Sequence, residues 1–387
     1  MCKYVKDGMR AKLTKDNKPL YSVMMDELKS QIVSGRYPPE SQLPTEAELS
    51  SAFGVSRITT RRALEELERE GLIYRIKGSG SFVKPRSRGL EGREEGTGKM
   101  ISLILPSEDD RGTMGYIRGA SDWLNANGYY LSIHQSDYDS QKERDLLELL
   151  TRKGIAAIIL YPRNDQTNYD ILHRLTLEDY PIITIDKYFD SLPLGAVVSD
   201  NFSGSYQAVS RLIELGHRRI AFLTAVSIES TSSVRDRYFG YCQALKDHGI
   251  PLDSRYIWLN MKDYREQVGV ERFYNELLDT YRAEGITAVQ TENDLIAANL
   301  LNLCLDRGIR IPEDISIIGF DNNPVTEHVM IPLTTVEQNF YEIGRQAAEI
   351  IVNWLEMGKQ ASGKILVPVK LVERGTTAAA PRSGIAD

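Results

Sequence analysis

Residues 55–83 read VSRITTRRALEELEREGLIYRIKGSGSFV. Ser56 stands where a helix cap belongs, Leu64 and Leu67 are spaced to face inward, and Gly71 closes the pattern. Arg57, Arg61 and Arg62 fall in the first turns, where the helix dipole disfavours cations unless a polyanion faces them. Two β-prone runs, LIYRI and SFV, follow through KGSG and predict a hairpin. Upstream, Leu20, Met24, Leu28 and Ile32 make an apolar stripe on a helix expected to stop at Gly35. In LPTEAELSSAFG, Thr45 caps a second helix with Glu48 as its capping-box partner, and Gly54 ends it. Three helices and a hairpin make a winged helix-turn-helix, whose third helix enters the DNA major groove. Arg57, Thr60 and Arg61, at i, i+3 and i+4, are expected on one face, from which an arginine can grip guanine O6 and N7.

The charge distribution points the same way. The chain of 387 residues carries a net charge of −7, yet residues 1–88 hold 17 Lys and Arg against 11 Asp and Glu, and the remainder 30 against 43. A basic head on an acidic body is the footprint of a partner that is itself a polyanion. No apolar run is long enough to span a bilayer, and the charged N-terminus has no signal-peptide core. Three scattered cysteines, Cys2, Cys242 and Cys304, argue against a disulfide framework. These features predict a cytoplasmic protein with no membrane partner. Five dispersed histidines give no metal-ligand spacing, and no nucleophile elbow or paired acid/base carboxylates appear. Neither enzyme chemistry nor a cofactor is expected.

Residues 1–18 read as a polar tail, 19–84 as the DNA-binding head, and 85–99, rich in Gly, Arg and Glu, as a linker. From Met100 the pattern becomes short apolar strands (MISLILP, AAIILY, PIITID, RIAFLT, TAVQT, ISIIGFD) alternating with helices. That alternation predicts an α/β domain over 100–378 with buried parallel sheets flanked by helices, divided into two lobes around a cleft.

The head is similar to the DNA-binding domain of GntR-family transcription regulators over nearly its whole length. The resemblance implies that Arg57 and Arg61 reach bases or phosphates, that Thr60 assists, and that Gly80 at the wing tip approaches the minor groove. Where many members carry an arginine, this chain has Ala47 in LPTEAELS; one contact is therefore missing, and Thr45 and Glu46 are implied as DNA contacts instead. The C-terminal region resembles the effector core of the lactose/galactose repressor family, a periplasmic-binding-protein type fold. The resemblance is carried by VVSDNFSGSYQAVSRLIELGHRRIAFLT, SSVRDRYFGYCQALKDHGI, RIPEDISIIGFDNNP and IPLTTVEQNFYEIGRQAAEIIV. It implies effector contacts from Arg237, with Arg235 a less certain neighbour, and from Asn293, Asp294, Asp321, Gln338 and Phe340.

Such residues suit a sugar: carboxylates and amides pair with hydroxyls, arginine supplies a fork of donors, and an aromatic ring covers an apolar face. Bland readings stand beside these: Asn293 as a helix cap, Asp294 serving the helix dipole, Asp321 as a turn residue, Phe340 as core, Arg237 as an ion-pair partner. His217, in the turn after Gly216, reads as structural. Together the two resemblances imply a homodimeric repressor of carbohydrate-utilisation genes. Two heads would hold half-sites of operator DNA and leave it when a small sugar, with L-arabinose favoured, fills the cleft. A nucleobase effector, or a sugar-binding protein with no DNA function, are the alternatives.

Overall fold

Thr45 and Glu48 form an exposed cap at the start of the second helix of the head. A computed structural model describes residues 19–381, less 34–35, 39, 70–71, 77–78, 85–98, 108–111, 325, 327–328, 359 and 361. The expected tail, the expected linker apart from Lys99, and the glycine stops at Gly35 and Gly71 lie outside the described residues. The Thr45 hydroxyl accepts from the Glu48 N–H, and the Glu48 carboxylate accepts from the Thr45 N–H at 2.8 Å. This reciprocal cap starts helix α2 (Glu46–Phe53), and Gly54 ends it in the left-handed conformation. Helices α1 (Leu20–Val33) and α3 (Arg57–Arg69) complete the bundle, and strands β1 (Ile73–Ile76) and β2 (Gly80–Val83) pair antiparallel as the wing. Met24, Leu28, Leu49, Ala63, Leu64, Leu67 and Ile73 fill the core. Leu20, the first member of the expected stripe, is exposed.

The larger unit is formed separately and holds two six-stranded sheets. In lobe 1 the strands are β3 (Met100–Leu105), β4 (Tyr130–Gln135), β5 (Ala157–Leu160), β6 (Ile182–Ile185), β7 (Gly195–Ser199) and β13 (Lys364–Val367), in the order β13-β7-β6-β5-β3-β4 and all parallel. Lobe 2 holds β8 (Ile220–Leu223), β9 (Ile257–Trp258), β10 (Ala288–Thr291), β11 (Ser316–Asp321), β12 (Thr334–Glu337) and β14 (Lys370–Val372), in the order β14-β12-β11-β10-β8-β9. Only β14 runs antiparallel to its neighbour. The inner strands are buried on both faces, as parallel strands between helices must be. The strands absent from the sequence expectation include β4, β9, β13 and β14, which sit at sheet edges and are short or half exposed.

The chain passes between the lobes three times: from β7 into helix α7 (Asn201–Glu214), from β12 into helix α12 (Phe340–Met357), and from β13 to β14. The remaining helices used below are α4 (Thr113–Ala126), α8 (Ser232–Asp247) and α11 (Asp294–Asp306). His217, in the turn after α7, is buried between Thr287 Oγ1 (2.9 Å) and the Ala378 carbonyl (3.1 Å), a structural role as expected. No helix among the described residues is long and apolar enough to cross a membrane.

Helices α4 and α12 cross at backbone contact. A Cβ on Gly119 would collide with the Tyr341 carbonyl, and one on Gly344 with the carbonyl of Tyr116. This crossing seats Tyr116 against Phe340 at the lobe 1 side of the cleft. In an open helix, Gly→Ala stabilises by about 0.5–1 kcal/mol. Here Gly119→Ala should do the reverse and lower the thermal midpoint of unfolding; a raised midpoint would contradict the close crossing.

Candidate DNA-binding head and effector cleft

The N-terminal end of α3 sorts its side chains by angle. Ser56 caps the helix, its Oγ accepting from the Thr59 N–H at 3.2 Å and lying 2.8 Å from Thr59 Oγ1. Arg57 and Arg61 are exposed, and Arg57 has no carboxylate partner among the described residues. Arg62 is stacked on Tyr21, its guanidinium carbon 4.1 Å from the ring centre. Thr60 does not share the arginine face: it is wholly buried, and its hydroxyl donates to the Ser56 carbonyl at 3.2 Å. The i, i+3 spacing brought it to the core side of the arc instead, so it cannot touch DNA without unfolding the turn.

Glu46 accepts from Arg61 at 3.4 Å and from Arg75 at 3.1 Å, joining α2, α3 and the wing strand β1. The Thr45 hydroxyl is occupied by Glu48, which draws the Glu48 carboxyl below its ordinary range, the backbone N–H of Thr45 contributing most. Gly80 opens β2 at φ 121°, and a Cβ there would lie 2.8 Å from Gln42 Nε2. The backbone conformation favours glycine, and a Cβ would also displace the end of the Gln42 side chain.

In the larger unit, Arg237 on α8 is 4% exposed. Its Nε donates to Asn201 Oδ1 at 2.8 Å, Nη1 donates to the Glu292 carbonyl, and Nη2 lies 3.6 Å from Asp321 Oδ1. The guanidinium lies 3.8 Å over the Phe320 ring. Asp321 ends β11 at φ 117°, a conformation an L-residue adopts at a cost of about 1–3 kcal/mol, and accepts from Gln338 Nε2 at 2.5 Å. Asn293 caps α11, accepting from the Ile296 N–H at 3.0 Å and donating to Glu292 at 3.1 Å. Arg237, Asp321, Gln338 and Asn293 thus converge near the carboxyl ends of β10 and β11, where open α/β sheets take ligands.

Two expected effector residues are held by other partners. Asp294 is completely buried: Oδ1 accepts from Thr335 Oγ1 at 2.5 Å and Oδ2 from the Asn323 N–H at 2.8 Å. Both oxygens tie α11 to β12 and to the turn after β11, and none is left for a ligand. Arg235 spans the lobes, with Nη1 3.1 Å from Asp165 and Nη2 2.8 Å from Asp190 in lobe 1. Tyr188 adds a second tie, its N–H donating to Ser232 at 2.9 Å and its hydroxyl to Asp236 at 2.8 Å. Arg235 fastens the lobes rather than offering a free fork.

Of the aromatic wall on the lobe 1 side, Phe340 was expected from the sequence, but Tyr116 and Tyr161 were not. Phe340 meets Tyr116 edge-on with centroids 5.2 Å apart, and Tyr116 meets Tyr161 at 5.8 Å. The Tyr116 hydroxyl donates to Asp186 at 3.5 Å; Asp186 pairs with Lys187 at 2.8 Å, and the ammonium sits 4.2 Å over Tyr161. Tyr161 and Asp186 each directly follow a lobe 1 strand, β5 or β6, as Asp321 ends β11. The strand-end rule that picked out Asp321 applies equally to PIITID.

Burial pushes the Asp294 carboxyl up to about 7. A carboxyl raised in the fold favours folding at low pH, and that advantage is lost as pH rises from the ordinary carboxylate range through 7. Asp294→Asn keeps the shape and removes the ionisation. Its thermal midpoint relative to the unaltered protein should therefore improve between pH 4 and 7 and level off above; a pH-independent difference would contradict the assignment.

Residues 20–83 match the model of the gntR family of bacterial regulatory proteins, and residues 209–377 match a periplasmic binding protein-like domain. The chain is 31% identical over 367 residues to an arabinose metabolism transcriptional repressor of Geobacillus stearothermophilus, covering 93% of this chain and 98% of that one. A repressor of the same name from Halalkalibacterium halodurans is 28% identical over 93% of this chain and 97% of its own. Among solved structures, a LacI family regulator from Enterococcus faecium with bound ribose superposes with a TM-score of 0.61 at 26% identity, over 73% of this chain and 99% of that one. The chain therefore belongs to the family of bacterial transcriptional repressors that join a GntR-type DNA-binding head to a periplasmic binding protein-like domain.

Proposed function

We propose that this repressor acts in the cytoplasm as a homodimer, two heads holding the half-sites of an operator, and that a small sugar in the cleft releases it. Arg57 and Arg61 are the DNA-reading cations, and Glu46 orients Arg61. Arg237, Asn293, Asp321 and Gln338 take the sugar's hydroxyls, while Phe340 and Tyr116 cover its apolar face. The observation that carries the reading is the composition of the two walls. One wall is a fork of donors and acceptors around Arg237; the other is edge-packed aromatic rings around Phe340. A pyranose or furanose has one face of hydroxyls and one of C–H groups and needs both. L-Arabinose is the first candidate, because the relatives similar over nearly the full chain are named for arabinose metabolism.

Effector and operator oppose each other through one coupling free energy, typically about 1–3 kcal/mol. A mobility-shift titration against pentoses, hexoses and nucleobases tests this. L-Arabinose should release the duplex with a coupling of that size, roughly 5- to 150-fold in affinity. Release by a nucleobase alone would replace the sugar reading, and no release by any compound would end it. Arg57→Ala and Arg61→Ala should each weaken DNA retention by about 1–3 kcal/mol if they grip bases; unchanged retention would remove them from the interface.

A further inference from the structure

Ile58, the second residue of α3, is 83% exposed. A lone exposed apolar residue is ordinary, but the position of this one is not. At 100° per residue, α3 turns Thr60, Ala63, Leu64 and Leu67 inward, and Ile58 points away from the middle of that buried arc. The hydroxyls at this end are engaged: Ser56 lies against Thr59, and Thr60 bonds to the Ser56 carbonyl. Arg62 lies on Tyr21. What the first turns present outward is a row of cation, apolar group and cation: Arg57, Ile58 and Arg61.

Two arginines at a helix end suit a polyanion, and in the major groove the base edges carry a single apolar group, the C5-methyl of thymine. Isoleucine is β-branched and stiff about χ1 in a helix, so its apolar end is held in place before contact. The rise from residue 57 to residue 61 is about 6 Å, less than two base-pair steps at about 3.4 Å each. We infer that Ile58 reads the methyl group of a thymine within a step or two of the bases faced by Arg57 and Arg61, making it a specificity-determining residue of the head. This rests on the DNA-binding role of the head proposed above. Here Ile58 supplies sequence preference, whereas the arginines supply attraction and guanine contacts.

The test uses the full chain to enrich duplexes from a random pool. Each thymine of the enriched site is then replaced singly by deoxyuridine, which removes the methyl and leaves the hydrogen-bonding edge unchanged. For the unaltered protein, deoxyuridine at one thymine per half-site should weaken binding about threefold to tenfold, the worth of one buried methyl or slightly more. Ile58→Ala should bind the natural site more weakly by a similar factor and be indifferent to deoxyuridine at that position. It should still lose affinity to 7-deazaguanine at neighbouring guanines, and Ile58→Val should retain the deoxyuridine response. The inference is overturned if the unaltered protein ignores every deoxyuridine, or if Ile58→Ala loses as much as the unaltered protein at each. A pool from which nothing is enriched would sink the DNA-binding role itself, and this inference with it.

Discussion

A guanidinium taken almost wholly out of water sets the terms for the effector domain. Burying an ion costs several kcal/mol unless fixed partners replace its hydration. Arg237 finds them on three separate pieces of chain: Asn201 after the first crossing between lobes, the Glu292 carbonyl past β10, and β11, which supplies Asp321 at its end and the Phe320 ring beneath. Each partner is itself held. Asp321 takes a bond from Gln338, which stands on the second crossing, and Glu292 accepts from the Thr224 hydroxyl and the Ala225 N–H. The surroundings of Arg237 are therefore a polar network whose members fix one another.

Two carboxylates of lobe 2 differ sharply in their surroundings. Asp294 and Asp321 are near neighbours in space, since a Cβ on Gly319 would strike Asp294. Yet Asp294 is sealed under β12 while Asp321 keeps partial exposure beside Arg237. Arg235 and Arg237 divide in the same way. Two residues apart on α8, they lie on different sides of the helix: one ties the lobes and the other is bound to Asn201 and the Glu292 carbonyl within lobe 2.

The sequence was legible where periodicity and capping chemistry act locally. The capping box at Thr45, the glycine end at Gly54, the three helices and wing of the head, and the inner strands of both sheets follow from residues adjacent in the chain. It was misleading where angle decides. Thr60 shares i, i+3 spacing with Arg57, yet the small offset on the helical wheel puts it in the core. It was also misleading where long-range partners decide, because nothing near Asp294 in the chain announces Thr335 or Asn323. Edge strands such as β13 and β14 were missed because each is only three or four residues long, too short to show a period. The aromatic wall of lobe 1 required assembling Tyr116, Tyr161 and Phe340 across more than 220 residues, although the strand-end position of Asp186 was there to be read.

The central claim is that the fork of Arg237, and not merely its charge, recognises the effector. Arg237→Lys keeps the charge and loses the planar fork. On the duplex that the unaltered chain retains, this variant should bind DNA with unchanged affinity while needing roughly tenfold to hundredfold more sugar for release, the worth of about 1–3 kcal/mol of charge-assisted hydrogen bonding. Release at the unaltered protein's sugar concentration would contradict the account.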